Sequence, residues 1–515
     1  MIPLNGTSDY ETRPRHLLRS SLITFVFALL VSLQFWWSDD WLSVGVINPF
    51  VQYLVLSLFL VIFTMYAVSK WSISRRMGQI DLLELPVWYS LFFVLLAVPF
   101  GAVVFFDQSY LIPPVRRVDW LIDGLWIAVV GIVGLWVGYR LAWIFIQSKS
   151  TQPPLTYRHL STKRLVLLYV VIWGVRILQI GTIGVAFGAQ VENLGSLSGF
   201  NQWLTYLASS ANLIVAIVAI QVFRQRWSSP FLWALLVLEI GFIFLNGFMK
   251  PLLWLLLILL GALHSTGLRL KSRLWLWLSF AILSVILISM VGNLRPMIST
   301  GLIDNRSSVS MLTGVTESIR LSWADGFGAS TQILWDWVLT RMGFVQVLGL
   351  TKNLTPDVIP YWGVERLLSI PLYIVPRALW PGKPILSTGV FFSVMYMQAP
   401  SDTNTSNSPM MFGDLYVSAG WGAVILGMML WGMLCAWLYW RLKVQPLQQN
   451  NVLHCALYIA IAVTIADAEA AYVAKSVGLI QILIVYRILY VWLFPVDQTS
   501  PITIRSGVKW DCSSM

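Results

Sequence analysis

The sequence predicts an all-α, polytopic bundle of about twelve membrane-spanning helices with one large, partly helical loop on the outer face. Three observations carry that expectation. Of 515 residues, 57% are hydrophobic and 11% charged. A soluble domain carries ~25% charged residues, so this chain has too little polar material to clothe a water-facing surface. The apolar residues are gathered into runs near the ~20 residues that a bilayer core requires, and the mean hydropathy is +0.74. Lys and Arg recur between these runs in small groups, on alternate loops.

In chain order the runs are 21–37, 50–68, 86–106, 125–146, 165–188, 204–223, 231–248, 252–263, 274–291, 417–440, 452–465 and 477–494. The eighth and eleventh are short and need an added turn to span. The first has no small-residue cleavage site after it and reads as a retained helix, not a secretory signal. Three regions follow: a bundle of about nine spans over 1–291, a more polar loop over 292–416, and about three spans with a tail over 417–515.

Orientation follows from the basic residues. With the N-terminus inside, nineteen Lys and Arg fall in inner segments, from Arg13, Arg15 and Arg19 to Arg505 and Lys509. The short outer loops hold four: Arg116, Arg117, Lys250 and Lys475. That bias predicts a plasma-membrane protein with both termini cytoplasmic and the long loop outside. The net charge of +11 is therefore a topology signal, not a nucleic-acid surface, which would cluster its basic residues on one soluble face. Cys435, Cys455 and Cys512 fall in no outer segment, so no disulfide framework is expected.

The long loop is too aromatic for a disordered linker, with Trp323, Trp335, Trp337, Tyr361, Trp362 and Trp380 among its rings. Ile333, Leu334, Trp337, Val338 and Met342 share one helical face. Residues 367–380 are apolar but short and interrupted by Pro371 and Pro376, which predicts a re-entrant or interfacial segment packed on protein. No internal repeat is visible, which counts against transporters built from duplicated halves.

His16, His159, His264 and His454 all fall on the inner side, out of reach of an outward site. Zinc spacing, Walker motifs and dinucleotide glycine motifs are absent from the sequence. What the loop offers is Arg295, Arg306, Arg320, Arg341, Arg366 and Arg377, with Lys352 and Lys383. Guanidinium binds phosphate oxygens in pairs where ammonium acts as a point charge, so this excess of arginine suits a lipid-linked pyrophosphate. The competing reading is pairing with the loop's own acids, Asp304, Glu317, Asp325, Asp336, Asp357, Glu365, Asp402 and Asp414, which leave the loop neutral. Arg377 and Lys383 stand out because neighbouring prolines fix their backbone.

Within the spans, Arg140 can snorkel from an inner helix end, whereas Arg176 and Arg487 cannot easily do so. A charge near the bilayer centre is a functional hypothesis by default. Glu239 lies at a depth similar to Arg176, so an ion pair and a substrate contact compete for that arginine. Asp39-Asp40, after the first run, resembles the acidic pair of glycosyltransferases that use polyprenyl-phosphate sugars.

The stretch Pro376-Arg377-Ala378-Leu379-Trp380-Pro381-Gly382-Lys383-Pro384 precedes a Ser/Thr/Asn-rich 401–408, then Gly413-Asp414-Leu415-Tyr416 and Gly420-Trp421-Gly422. In this order it resembles the C-terminal part of the O-antigen polymerase (Wzy-type) family, which joins oligosaccharide repeat units in bacterial polysaccharide pathways. Two positions depart from that family. Its Arg-x10-Gly pattern is missed by one place at Arg377, where the glycine is Gly389, and Asp414 stands where the family motif has Glu.

The resemblance implies a metal-independent, cofactor-free transferase at the outer face. It would move a glycan from polyprenyl pyrophosphate to a sugar hydroxyl of the next lipid-linked unit, beside a flippase and a chain-length regulator. It would need a cation clamp on the leaving pyrophosphate and a group to take the acceptor proton. Arg377 and Lys383 are expected as the clamp, with Arg295, Arg341, Arg366 and Arg176 as further substrate contacts and Trp380 and Tyr416 as binding aromatics. With no outer histidine, Asp414 or Asp402 is expected as base. Related ligases use an outer-loop histidine, so its absence favours a polymerase. The other classes are a polyprenyl-phosphate-sugar glycosyltransferase and a lipid-linked-glycan flippase, the latter disfavoured because polar residues are expected to concentrate on the outer side.

Overall fold

The computed structural model of the protein describes residues 49–76, 83–106, 117–148, 160–183, 198–246, 250–267, 343–376, 388–397, 408–448, 451–467 and 470–495. It also describes part of 313–321 and isolated positions such as Asp81, Trp380 and Lys383. Among these residues every regular element is helical and no strand occurs.

Helix α1 is Pro49–Lys70, α2 Leu85–Phe92, α3 Val98–Phe106, α4 Trp120–Ser148 and α5 Thr162–Ile183. Then come α6 Ser198–Ser209, α7 Ala211–Phe223, α8 Ser229–Asn246 and α9 Lys250–Ser265. After these follow α10 Phe344–Leu354, α11 Thr388–Tyr396, α12 Met410–Tyr439, α13 Cys455–Ile465 and α14 Tyr472–Leu493. The first and ninth predicted runs lie outside the described residues, and the other ten are helical where described.

Among the described residues five helices are long and apolar enough to cross a membrane: Pro49–Lys70, Trp120–Ile146, Trp203–Phe223, Met410–Gln448 and Tyr472–Leu493. Apolar stretches at Leu85–Leu95, Ser229–Ile243, Pro251–Ser265 and Val452–Ile465 are shorter. The chain is thus an α-helical membrane protein whose helices are less uniform than twelve equal spans. Local chemistry explains the interruptions. The π turn Phe93–Ala97 between α2 and α3 stands just ahead of Pro99, which lacks the N–H an unbroken helix would use. The same pairing recurs where the π turn Trp440–Val444 precedes Pro446. Between α6 and α7, Ser209 and Ser210 both turn their hydroxyls back onto the Tyr206 carbonyl at 2.8 and 3.1 Å, offering the backbone a competing partner.

Helix α12 breaks at Ala419 and Gly420, the latter with φ 69° and ψ −154°, a conformation essentially reserved for glycine. The two arms fold against each other, since a Cβ on Gly427 would meet the Leu415 side chain at 2.5 Å. Both arms pack on α4 through its glycines. Phe412 lies over Gly131, and Met428 and Met429 approach Gly134 and Gly138. Small residues let helices approach closely where lipid supplies no hydrophobic drive.

Helix α10 belongs to the stretch expected as an outer loop, yet it lies along α4. Val345 and Gly349 face Gly124, and Phe344 packs on Phe92 at 5.2 Å. Its last turn is tied to the start of α4, where Lys352 and Asn353 donate to Asp123 at 2.5 and 2.8 Å.

Candidate functional site

The site that holds most of the predicted residues that are described centres on the single turn Glu365–Leu368. Arg366 donates from Nη1 to Asp414 Oδ1 at 2.6 Å and from Nη2 to the Thr388 hydroxyl, and its guanidinium lies 4.8 Å over the Trp362 ring. Asp414 comes from the first arm of α12. Its other oxygen accepts the Val473 amide at 3.0 Å, at the start of α14. The Trp362 amide donates to the Val417 carbonyl at 2.8 Å, fastening the turn to the same arm. The pair is asymmetric: Asp414 is fully buried, while 18% of the Arg366 side chain is exposed.

The aromatic residues frame this pair. Tyr416 packs on Trp421 at 5.2 Å and on Tyr361 at 6.4 Å, and the Tyr361 hydroxyl sits against Gly420, where any side chain would collide with it. Lys383 is buried; its Nζ donates to the Tyr373 and Val375 carbonyls at 2.6 and 2.9 Å, and Gln481 of α14 donates to the Ile374 carbonyl at 3.2 Å. The lysine therefore stitches together the turn that leads into Pro376 and the half-buried Trp380.

The structure thus brings together Arg366, Asp414 and Tyr416 at the turn Glu365–Leu368, and ties Lys383, with Trp380 beside it, to the next turn, Leu372–Ile374. Arg176 is elsewhere. It forms a two-pronged pair with Glu239, both contacts 2.8 Å, with Tyr169 also donating to Glu239 and the Phe242 ring 4.0 Å beneath the guanidinium. Arg377, Arg295, Arg341 and Asp402 lie outside the described residues, as do the 333–342 helical face and Asp39-Asp40. Where described, the loop's arginines pair with acids of their own loop: Arg320 with Glu317 at 2.5 Å on an exposed turn, and Arg366 with Asp414. Lys475, expected in a short outer loop, is instead buried in the first turn of α14, over the Tyr89 ring at 5.5 Å.

The expectation that polar groups concentrate at one end does not describe the molecule. A second, tighter network joins the ends of α1, α4, α9, α12 and α13. Asp81 pairs with Lys443, Tyr439 donates to the same oxygen at 3.0 Å, and the His264 ring stands 3.8 Å from it. Glu84 receives the amides of Ile73 and Ser74 at 2.8 and 3.0 Å and the hydroxyls of Ser72 and Tyr139 at 2.7 and 2.6 Å. Burial alone would push the Asp81 carboxyl up, but the charges of Lys443 and His264, with hydrogen bonds from Lys443 and Leu83, outweigh it and hold it below its usual range. At Glu84 burial prevails over the hydrogen bonds and pushes the carboxyl up. Sequence reading missed this network, although Tyr439 and Lys443, four apart on one helix, carried a faint signal of it.

Among the described residues no group of three or more His, Cys, Asp or Glu side chains is placed to hold a metal ion. Residues 169–446 match the family described as Domain of unknown function (DUF8712), and, as this is more than half of the chain, the protein belongs to that family. The matched stretch takes in both the Arg176–Glu239 and the Arg366–Asp414 pairs. No curated protein and no solved structure matches the chain.

Proposed function

We propose that the protein is a membrane glycosyltransferase that polymerises lipid-linked oligosaccharide repeat units. It would transfer a glycan from polyprenyl pyrophosphate to a sugar hydroxyl of the next unit on the outer face of the plasma membrane. The observation that carries this reading is the convergence of the two halves of the resembling motif. Its Lys383 and its Asp414 are separated in sequence but fastened to two successive turns, Leu372–Ile374 by Lys383 and Glu365–Leu368 by Arg366–Asp414. Orientation rests on the basic-residue bias. The helix ends assigned to the inside by that bias, at Lys70, His264 and Lys443, also meet around Asp81 and Glu84, consistent with one alternating thread.

In this reading the partly exposed Arg366, with Arg377, neutralises the leaving pyrophosphate. Lys383 holds the carbonyls of Tyr373 and Val375, just before Arg377 in the sequence, and Trp380, Tyr416 and Tyr361 offer faces for sugar rings. Both oxygens of Asp414 are engaged, so Asp414 positions Arg366, and Asp402 becomes the carboxylate proposed to take the acceptor proton. Arg295 and Arg341 remain proposed further contacts, and a flippase and a chain-length regulator the proposed partners. A preorganised cation aimed at developing charge contributes ~3–4 kcal/mol to a transition state. The test is to analyse lipid-linked glycans in cells that carry wild type, no copy, or Arg377→Lys. Long chains with wild type, and single units accumulating in the other two, would support the reading. Unchanged glycans in the cells without the protein would end it.

A further inference from the structure

Past the exposed Glu365, between Arg366 and Val375, the chain is turned inside out. From residue 366 to 380 the exposed described side chains are Leu368, Pro371, Leu372, Val375 and Leu379, all apolar; Leu368 and Leu379 are 73% and 74% exposed. The polar groups face the other way. Arg366 reaches in to Asp414, the Ser369 hydroxyl donates to the Glu365 carbonyl, and Lys383 is buried against backbone. A loop in water shows the reverse pattern.

The backbone is satisfied as well. The amides of Leu368, Ser369, Leu372, Tyr373, Ile374 and Val375 all close local turns. The carbonyls of Tyr373, Ile374 and Val375 are taken by Lys383 and Gln481. Irregular backbone tolerates an apolar medium only when its polar groups are met in this way. Gln481 lies nine residues into α14, about 13 Å along it. The turn therefore stands beside a membrane-crossing helix, not above its end, next to a helix that itself shows Ile484 and Ile488 outward.

We propose that residues 367–376 are embedded in the leaflet at this end of the bundle, with Leu368, Leu372 and Leu379 in contact with lipid acyl chains and the exposed Glu365 among the headgroups beside Arg366. The polar side of the same segment then holds Arg366 at the boundary between lipid and headgroups. This placement stands on exposure and hydrogen bonding, whatever reaction the site performs.

The experiment uses the full chain in lipid nanodiscs, with Leu368→Cys or Leu372→Cys in a Cys512→Ser background and a thiol-linked environment-sensitive fluorophore. Cys435 and Cys455 are buried and remain in place. Phospholipids brominated along their acyl chains should quench both labels, and iodide in the buffer should not. Quenching by iodide would show a water-facing loop and overturn the proposal. Quenching by neither would show a protein cover, a second copy or another part of this chain, and would overturn it equally.

Discussion

At one end of the bundle Lys443 meets Asp81 with neither side chain more than 2% exposed; at the other, Arg366 meets Asp414 and keeps 18% of its side chain open. The two pairs share a carboxylate locked by a second donor, the Leu83 amide on Asp81 and the Val473 amide on Asp414. They differ in whether the cation can meet anything else. Lys443 is enclosed by the Tyr439 and Tyr458 rings and works on the fold alone. Arg366 can hold the fold and still present charge outward. A buried charge is therefore weak guidance to function unless its partner's exposure is known.

Substitutions at the two ends should separate these roles. Lys443→Ala strands a fully buried carboxylate, which costs ~3–5 kcal/mol, so the protein should be lost from the membrane fraction or unfold at much lower temperature. Asp81→Asn with Lys443→Met should recover much of that loss; if the double variant is as unstable as the single, the pair is not what joins these helices. Arg176→Ala should cost nearly as much, softened because Tyr169 still serves Glu239, and Arg176→Met with Glu239→Gln should restore yield.

Asp414→Asn should cost less, about 1–3 kcal/mol, because Arg366 can turn to solvent when its partner is neutral. A loss equal to that of Lys443→Ala would erase the distinction between the ends. Gly420→Ala sits in the same range, ~1–3 kcal/mol, since alanine is strained at that φ and collides with the Tyr361 hydroxyl. Thermal unfolding in detergent measures both. At the bottom of the scale, Glu317→Ala breaks an exposed pair on a surface turn and should leave the unfolding temperature unchanged.

How much of this was legible in the sequence depended on the length of the signal. The helical membrane class follows from composition, and the predicted runs are mainly helical where described, because apolar length is written locally. Breaks were harder to see. Val417–Trp440 reads as one span, yet its start is a folded-back arm turning at Gly420, a conformation only the backbone reveals. The Arg176–Glu239 pair was visible as two opposite charges at one depth. Arg366–Asp414 was open only as one of many pairings between the loop's arginines and its acids, since nothing local joins positions 48 apart. Lys383 was read as a clamp because it is a cation among prolines, but its ammonium is used on carbonyls of its own turn. The Asp81–Lys443 network escaped for the opposite reason: its residues are spread over six segments, each unremarkable alone.

The central claim is that the half-open end works on a lipid-linked pyrophosphate through guanidinium geometry. Arg366→Lys tests it most directly, because lysine keeps the charge opposite Asp414 but loses the two-pronged hydrogen bonding. The measurement is the chain-length profile of lipid-linked glycans in cells whose only copy is Arg366→Lys, with membrane level and unfolding temperature recorded in parallel. The expected result is a folded protein at wild-type level, loss of long chains and accumulation of single repeat units. Long chains at wild-type yield from a stably folded Arg366→Lys protein would contradict the claim and leave Arg366, like Lys443, as a part of the fold alone.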